Sequence, residues 1–335
     1  MKRPLAVLLC VSPLLLLLNW WRISATGEGP LPPRNVTVLL WHWPFDVALP
    51  LQGDVCLELY GIPRCRLLRD RSALPAAHLV VFHSRELERG WQALPLGPQR
   101  PRSQRWVWMS LESSTGDLRR FGGVFNLTMS YRRDADITIP YGRLEPREPP
   151  GAPGGLVVVK SVPVCWVVSA YSPEHRRSRV YTGLRDMMPV AVYGHWNNNP
   201  LSARDLLPTI SRCYFYLAFE NSESKDYITE KLWRNAYGSG AVPVVLGPPP
   251  GDYEAVAPRG SYIHVDEFAS VEDLGRRLQE LMEDRESYAG YLEWQRAWRV
   301  KSFTDWRERL CSICSQYDRL PENKTYPDLH AWARA

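Results

Sequence analysis

Residues Glu145 to Gly155, EPREPPGAPGG, interrupt an otherwise regular alternation of apolar and polar segments. Proline has no amide hydrogen to give to a helix or ladder, and glycine is too loose to hold either, so this run can continue neither a helix nor a central strand. It reads as a linker (145–155) between two domains, 35–144 and 156–335. With 335 residues and roughly 150 per domain, two domains with sizeable cores are the natural expectation. Before the linker, strand-length apolar runs recur at Val36–Trp43, Leu79–His83, Trp106–Leu111 and Ile137–Tyr141. After it come Leu156–Ser169, Val190–Gly194, Tyr214–Phe219, Val242–Leu246 and Tyr262–Val265. Between them lie helix-compatible stretches such as Asp226–Tyr237 and Ser270–Asp284. The latter opens with Ser270 three residues before Asp273, close to a capping box, and Leu274, Leu278 and Leu281 mark one buried face. Strand and helix alternating in both halves predict two doubly wound α/β domains, with ligands at the carboxyl ends of strands in the crevice between them.

The N-terminus predicts the compartment. Lys2 and Arg3 precede an apolar run from Leu5 to Trp21, broken only by Ser12, Pro13 and Asn19. As a helix this run reaches about 26 Å, enough for a thin secretory-pathway membrane, with Trp20 and Trp21 at the interface. The expectation is a cytosolic tail (1–4), one uncleaved signal-anchor transmembrane helix (5–21) and a Pro/Gly-rich stem (22–34), with all that follows lumenal. A signal peptide cut near Ser24-Ala25 is the rival reading. Three acceptor sequons, at Asn35, Asn126 and Asn323, lie beyond the anchor and suit N-glycosylation. Cys56, Cys65, Cys165, Cys213, Cys311 and Cys314 then face an oxidising space. Cys56/Cys65 and Cys311/Cys314 are close enough in sequence to pair locally, and Cys165 and Cys213 either pair or stay buried and free.

Composition narrows the function classes. Hydrophobic residues at 45% and charged residues at 23% are a globular mixture that excludes a disordered or fibrous chain. A net charge of +5 is too thin to point to nucleic acid and fits a local cationic site for an anionic ligand. Fourteen Trp and sixteen Tyr suit stacking on flat or sugar ligands, and equally suit cores.

The chemistry-bearing residues cluster where apolar runs end. After Tyr214–Phe219 come Glu220-Asn221-Ser222, then Asp226-Tyr227-Ile228-Thr229-Glu230-Lys231, opening a helix that Thr229 or Asp226 can cap. A helix N-terminus offers amide hydrogens and a positive dipole end to a phosphate, and Lys231 adds a full cation. Asn221, Tyr227 and Glu230 can hydrogen-bond sugar hydroxyls. After Trp166–Ser169 come Arg176, Arg177 and Arg179, whose forked guanidiniums suit a diphosphate. Glu112 ends the run WVWMSLE and is a candidate general base. His42 and Trp43, with His83 and Arg85, end first-half strands and are candidates for an acceptor groove. Asp134-Ala-Asp136 has the spacing to share a divalent ion, but the arginines beside it make local pairing simpler. No His/Cys/carboxylate set has zinc spacing, and no P-loop or Gly-x-Ser-x-Gly elbow is present.

FENS-x-x-x-DYITEKLWRNA followed by GAVPVVLGP resembles the donor-site signature of the Golgi α-1,3-fucosyltransferases, glycosyltransferase family 10. WVWMSLES, SYRRDADITIPYG and FTDWRERLCSIC resemble further stretches of that family, from about Val36 to the C-terminus. VLLWHWPF, YGIPRC and YGRLEP resemble the branch that finishes sialyl Lewis x, the selectin-ligand glycan of leukocytes. The resemblance implies a GT-B fold, two Rossmann-like domains facing a crevice, the acceptor domain first and the GDP-fucose domain second. It implies inverting transfer of fucose from GDP-fucose to the 3-hydroxyl of N-acetylglucosamine in N-acetyllactosamine, α-2,3-sialylated on the branch resemblance, with no obligatory cofactor or metal; transfer to unsialylated lactosamine, or a non-catalytic glycan-binding relative, is the alternative reading. On matching positions Glu112 is the base, Arg177 and Lys231 hold the diphosphate, and Asn221, Tyr227 and Glu230 contact the donor. Golgi membrane localisation and glycoprotein or glycolipid acceptors follow from the same resemblance.

Overall fold

The computed structural model describes residues 35–90, 94–97, 100–113, 116–148 and 159–335. The expected anchor (5–21), the stem (22–34) and most of the linker lie outside these residues. Among the described residues no helix is long and apolar enough to cross a membrane.

The first half folds around a six-stranded sheet in the order β2-β1-β3-β4-β5-β6. Its strands are β1 Val36–Leu40, β2 Cys65–Leu68, β3 Leu79–His83, β4 Arg105–Ser110, β5 Leu127–Ser130 and β6 Ile137–Thr138. All five pairings are parallel. The apolar runs at β1, β3 and β4 form strands because parallel strands are covered on both faces and need continuous hydrophobic sequence. Leu79 to Phe82 are accordingly fully buried. The second half carries a five-stranded parallel sheet in the order β12-β11-β10-β8-β9. Its strands are β8 Val162–Val167, β9 Val190–Tyr193, β10 Cys213–Phe219, β11 Val242–Leu246 and β12 Ile263–His264. Helix Val271–Glu283 packs Leu274, Leu278 and Leu281 on this sheet, with Ser270 accepting from the Asp273 amide as its cap.

Two features depart from the sequence expectations. The linker begins later than Glu145: Glu145 and Pro146 end β7 (Gly142–Pro146), which pairs antiparallel with β13 (Trp298–Ser302). A two-stranded ribbon tolerates proline at its end because no further neighbour needs its amide. The C-terminal segment also leaves the second domain. Leu310, Ile313, Tyr317 and Leu320 join the core of the first sheet, and Tyr326 and Leu329 pack on its other face. Arg105 on β4 donates to the Tyr317 and Leu320 carbonyls, fixing this return.

The return overturns the local cysteine pairing. Cys56 bonds Cys311 and Cys65 bonds Cys314, across 255 and 249 residues. Cys311 and Cys314 lie three apart on helix Trp306–Gln316, so both face the same way and meet helix Val55–Tyr60 and β2 rather than each other. A third bridge, Cys165–Cys213, joins neighbouring strands β8 and β10. Non-reducing peptide mapping is expected to recover peptides 56/311 and 65/314. Recovery of 56/65 would contradict the docking of the C-terminal helix. Removing either long-range bridge is expected to cost about 2–5 kcal/mol of stability.

Candidate functional site

The second sheet changes winding direction between β8 and β10: β9 lies outside β8, while β11 and β12 continue beyond β10. At such a switch point the carboxyl edge of a doubly wound sheet opens a crevice. A cleft of about 130 Å³ lies there, lined by Arg176, Arg177, Glu220, Asn221 and Leu246 among others.

Glu220 organises it. Its side chain is buried where β10 ends, and Gly247 is close enough that a β-carbon there would approach the Glu220 Cβ to 2.9 Å. Glu220 accepts from the Thr229 amide at 2.8 Å, from the Thr229 hydroxyl, and from Lys231 Nζ at 2.9 Å. Burial pushes the Glu220 carboxyl up, opposed by Lys231. Burial also works against the Lys231 charge, yet Glu220 and Glu230 prevail and hold its ammonium above the usual lysine value. Arg177 is buried beside them and donates to the Ala170 carbonyl, while its Nε has no partner. Burial lowers its pKa, with Glu220 opposing. Lys231 is thus paired with the buried Glu220 carboxylate, while the Arg177 guanidinium lines the same cleft without a carboxylate partner of its own, and a cation left over at the strand ends suits an anionic group such as a diphosphate. Arg176 stays at the rim on Asp266 and Glu223, and Arg179 on the Glu174 carbonyl.

The segment after β10 differs from the expected helix start. Helical winding begins at Glu230, and Lys231–Tyr237 is a π-helix. Thr229 precedes it, its hydroxyl 3.4 Å from the Lys231 amide. Asp226 caps nothing: with φ at +60° it turns back to accept from the Arg133 amide at 3.0 Å and Arg133 Nε at 2.5 Å. Asp252 takes the other end of Arg133 at 2.8 Å, so this cluster ties the two halves together. Tyr227 is buried between Tyr131 and Tyr141, ring centroids 4.9 and 6.4 Å away, and forms part of the first domain's core. It is a wall between the halves rather than an open ligand contact. Asn221 is exposed at the mouth, and Glu230 is half-exposed beside Lys231.

In the first half, β4 runs out into Leu111 and Glu112. Tyr141 donates to the Leu111 carbonyl at 2.6 Å and Ser110 to the Glu112 carbonyl at 2.7 Å, so the backbone is held while the Glu112 side chain is exposed. Burial, with Glu112 among the carboxylates adding to it, pushes the Tyr141 and Tyr227 hydroxyls far up, so both stay protonated. Ser113 lies 2.6 Å from Ser224 and accepts from Ser222 at 3.0 Å, so the loop after Glu112 touches the loop after Glu220. A cavity of about 230 Å³ opens beside Leu111 and Glu230, walled by Phe45, Tyr141, Trp306 and Arg309.

The first-half candidates separate into two groups. His83 is buried, bonded to Glu86 and packed on Phe45 and Trp306, and Arg85 lies over the Phe45 ring at 4.8 Å. His42 and Trp43 line a larger cleft at the end of β1. Asp134 and Asp136 do not face each other across an ion: Asp134 pairs with Arg132 at 2.7 Å and Lys225 at 3.1 Å, and Asp136 with Lys324 at 2.6 Å. The Asn126 amide is a structural clamp. It donates to the Lys324 carbonyl at 2.9 Å and accepts from the Trp106 amide at 2.8 Å. Asn323 is exposed.

Sequence reasoning missed Glu220 as a site residue, the Ser113/Ser222/Ser224 contact, and the Phe45/Trp306/Arg309 wall. Glu220 carried a signal, a carboxylate at the end of an apolar strand. The other two need the domains docked before they exist.

Two family models match the chain: fucosyltransferase, N-terminal, over residues 33–142, and glycosyltransferase family 10 (fucosyltransferase), C-terminal, over residues 157–332. The human alpha-(1,3)-fucosyltransferase 7 is 46% identical over 99% of this chain and 96% of its own. The bovine protein of the same name is 48% identical, covering 94% and 92%. The rat 4-galactosyl-N-acetylglucosaminide 3-alpha-L-fucosyltransferase 9 is 40% identical, covering 89% and 82%. Among solved structures, an alpha1,3-fucosyltransferase with GDP-fucose aligns with a TM-score of 0.56 at 16% identity, covering 90% of this chain and 94% of that one.

Proposed function

The chain belongs to glycosyltransferase family 10, the fucosyltransferases, and from that footing we propose how its own residues carry α-1,3-fucosyl transfer and to which acceptor. GDP-fucose lies at the β8/β10 switch point, with its diphosphate between Arg177 and Lys231 and the fucose toward Glu112. The acceptor is N-acetyllactosamine bearing α-2,3-linked sialic acid, and the product is of the sialyl Lewis x type. Glu112 takes the proton from the 3-hydroxyl of N-acetylglucosamine as that oxygen attacks the anomeric carbon from the face opposite the diphosphate. The fucosyl–oxygen bond to GDP breaks on the other side and the configuration inverts. Charge developing on the leaving diphosphate is met by the two cations, Lys231 held in place by Glu220 and Arg177 by the Ala170 carbonyl. We assign no divalent ion to this step, because Asp134 and Asp136 are already engaged with Arg132, Lys225 and Lys324. We further propose a single-pass Golgi membrane protein anchored by residues 5–21, with residues 35–335 in the lumen.

The observation that carries the donor assignment is the buried Arg177 guanidinium, its Nε without a partner, in the strand-end cleft beside the Lys231–Glu220 pair. A thermal-shift comparison tests it. GDP and GDP-fucose are expected to raise Tm by several degrees at saturating concentration, as ligands selective for the native state do. UDP- and CMP-sugars are expected to leave Tm unchanged. Equal protection by all three would contradict the assignment.

A further inference from the structure

The hydroxyls of Ser113, Ser222 and Ser224 meet where the two halves touch. Ser222 donates to Ser113 at 3.0 Å, Ser113 and Ser224 lie 2.6 Å apart, and Ser222 and Ser224 lie 2.7 Å apart. A hydroxyl can donate one hydrogen bond and accept two, so the three close into a ring in which each donates once and accepts once. Hydrogen bonds linked in this way polarise one another and hold more firmly than separate pairs. Ser113 directly follows Glu112, whereas Ser222 follows Asn221 and lies two residues beyond Glu220, where β10 ends. The Glu112 carboxylate is exposed, so its aim is set through the backbone on either side. Ahead of it Tyr141 holds the Leu111 carbonyl, and Ser110 holds the carbonyl of Glu112 itself. Beyond it the first side chain is Ser113, and both serine partners of that hydroxyl come from the second half. Glu220 is fixed in turn by Thr229 and Lys231. A short series of bonds thus runs from Glu112 through the ring to Glu220 and the Lys231 ammonium.

We propose that Ser113 is a positioning residue for the transfer: through Ser222 and Ser224 it holds the Glu112 carboxylate at a fixed place relative to the donor-binding loop of the second half. The proposal rests on the reading of Glu112 as the base and says what aims it. The ring does not hold the halves together. Arg133 joins Asp226 at 2.5 Å and Asp252 at 2.8 Å, and Lys225 joins Asp134 at 3.1 Å, so three ion pairs span the same boundary without it. Breaking the half-buried ring leaves those pairs in place and frees the chain on the carboxyl side of Glu112. A base must lie within hydrogen-bond reach of the proton it takes, and misplacement by about 1 Å can cost 10²-fold in rate.

The test uses the full chain with GDP-fucose and whichever lactosamine acceptor, sialylated or plain, the parent uses better. Ser113→Ala is expected to lower kcat by about 10- to 100-fold, with Tm and the Kd for GDP-fucose unchanged. Ser113→Thr, which keeps a hydroxyl, should recover most of the rate. Removing the other side of the ring, with Ser222→Ala and Ser224→Ala together, should cost as much as Ser113→Ala, and the triple variant no more than either, because each change breaks the same unit. An unchanged kcat in Ser113→Ala, losses that multiply in the triple variant, or a fall in Tm and donor affinity that tracks the rate would overturn the proposal. The Glu112→Gln background separates this from failure of the base reading. There Ser113→Ala should cost nothing further, and an added loss would mean that the serine acts on a group other than Glu112. A slow Glu112→Gln beside a fully active Ser113→Ala removes the positioning role and keeps the base. A fully active Glu112→Gln removes the base, and the positioning role with it.

Discussion

Glu112→Gln is expected to lower kcat by roughly 10²–10⁴ with the fold intact, the usual contribution of a positioned general base. The substitution keeps the side-chain shape and changes only its ability to accept a proton. Glu112 lies in a loop whose backbone is fixed by Tyr141 and Ser110, and its exposed side chain supports none of the core. Melting temperature and GDP affinity should therefore match the parent. Loss of less than about tenfold would move the base elsewhere and leave Glu112 as a polar wall.

Lys231→Met is expected to damage both stability and turnover. Glu220 has a side chain only 1% exposed and Lys231 one that is 17% exposed, so their ion pair is shielded from water. Removing one partner of such a pair leaves an uncompensated buried charge and costs about 3–5 kcal/mol. Thr229 continues to hydrogen-bond Glu220 and places the expected loss toward the lower end of that range. Urea titration measures it. The double variant Glu220→Gln/Lys231→Met should recover much of the stability, because no buried charge is then left unpaired, but not the activity. Loss of one of two cations from the leaving diphosphate is expected to cost about 10²–10³ in kcat. A stable, fully active Lys231→Met would mean that Glu220 is neutral in the folded protein and that Arg177 alone carries the donor.

The central strands were legible because parallel sheets covered on both faces demand unbroken apolar sequence, as in Leu79–His83 and Val242–Leu246. β2 (CRLL), β5 (LTMS) and β13 (WRVKS) escaped notice because short or half-exposed strands mix polar with apolar residues and leave no clear period. The return of helix Trp306–Gln316 to the first domain was not readable at all. An apolar face shows that a helix packs, not on which sheet, and the local spacing of Cys311 and Cys314 pointed the wrong way. At the site, Glu112 and Lys231 could be named from their place at the end of a strand and the start of a helix, whereas only the family resemblance separates Arg177 from Arg176 and Arg179. Tyr227 could not be placed, because its burial between Tyr131 and Tyr141 exists only once the two halves meet.

The most direct test of the account is transfer itself. The full chain is incubated with GDP-fucose and α-2,3-sialylated N-acetyllactosamine, and the product linkage and anomeric configuration are read by NMR. The account predicts a single fucose on the 3-hydroxyl of N-acetylglucosamine in the α configuration, with one GDP released per fucose transferred. Fucose on another hydroxyl, retained β configuration, or no transfer while GDP-fucose still binds would contradict it.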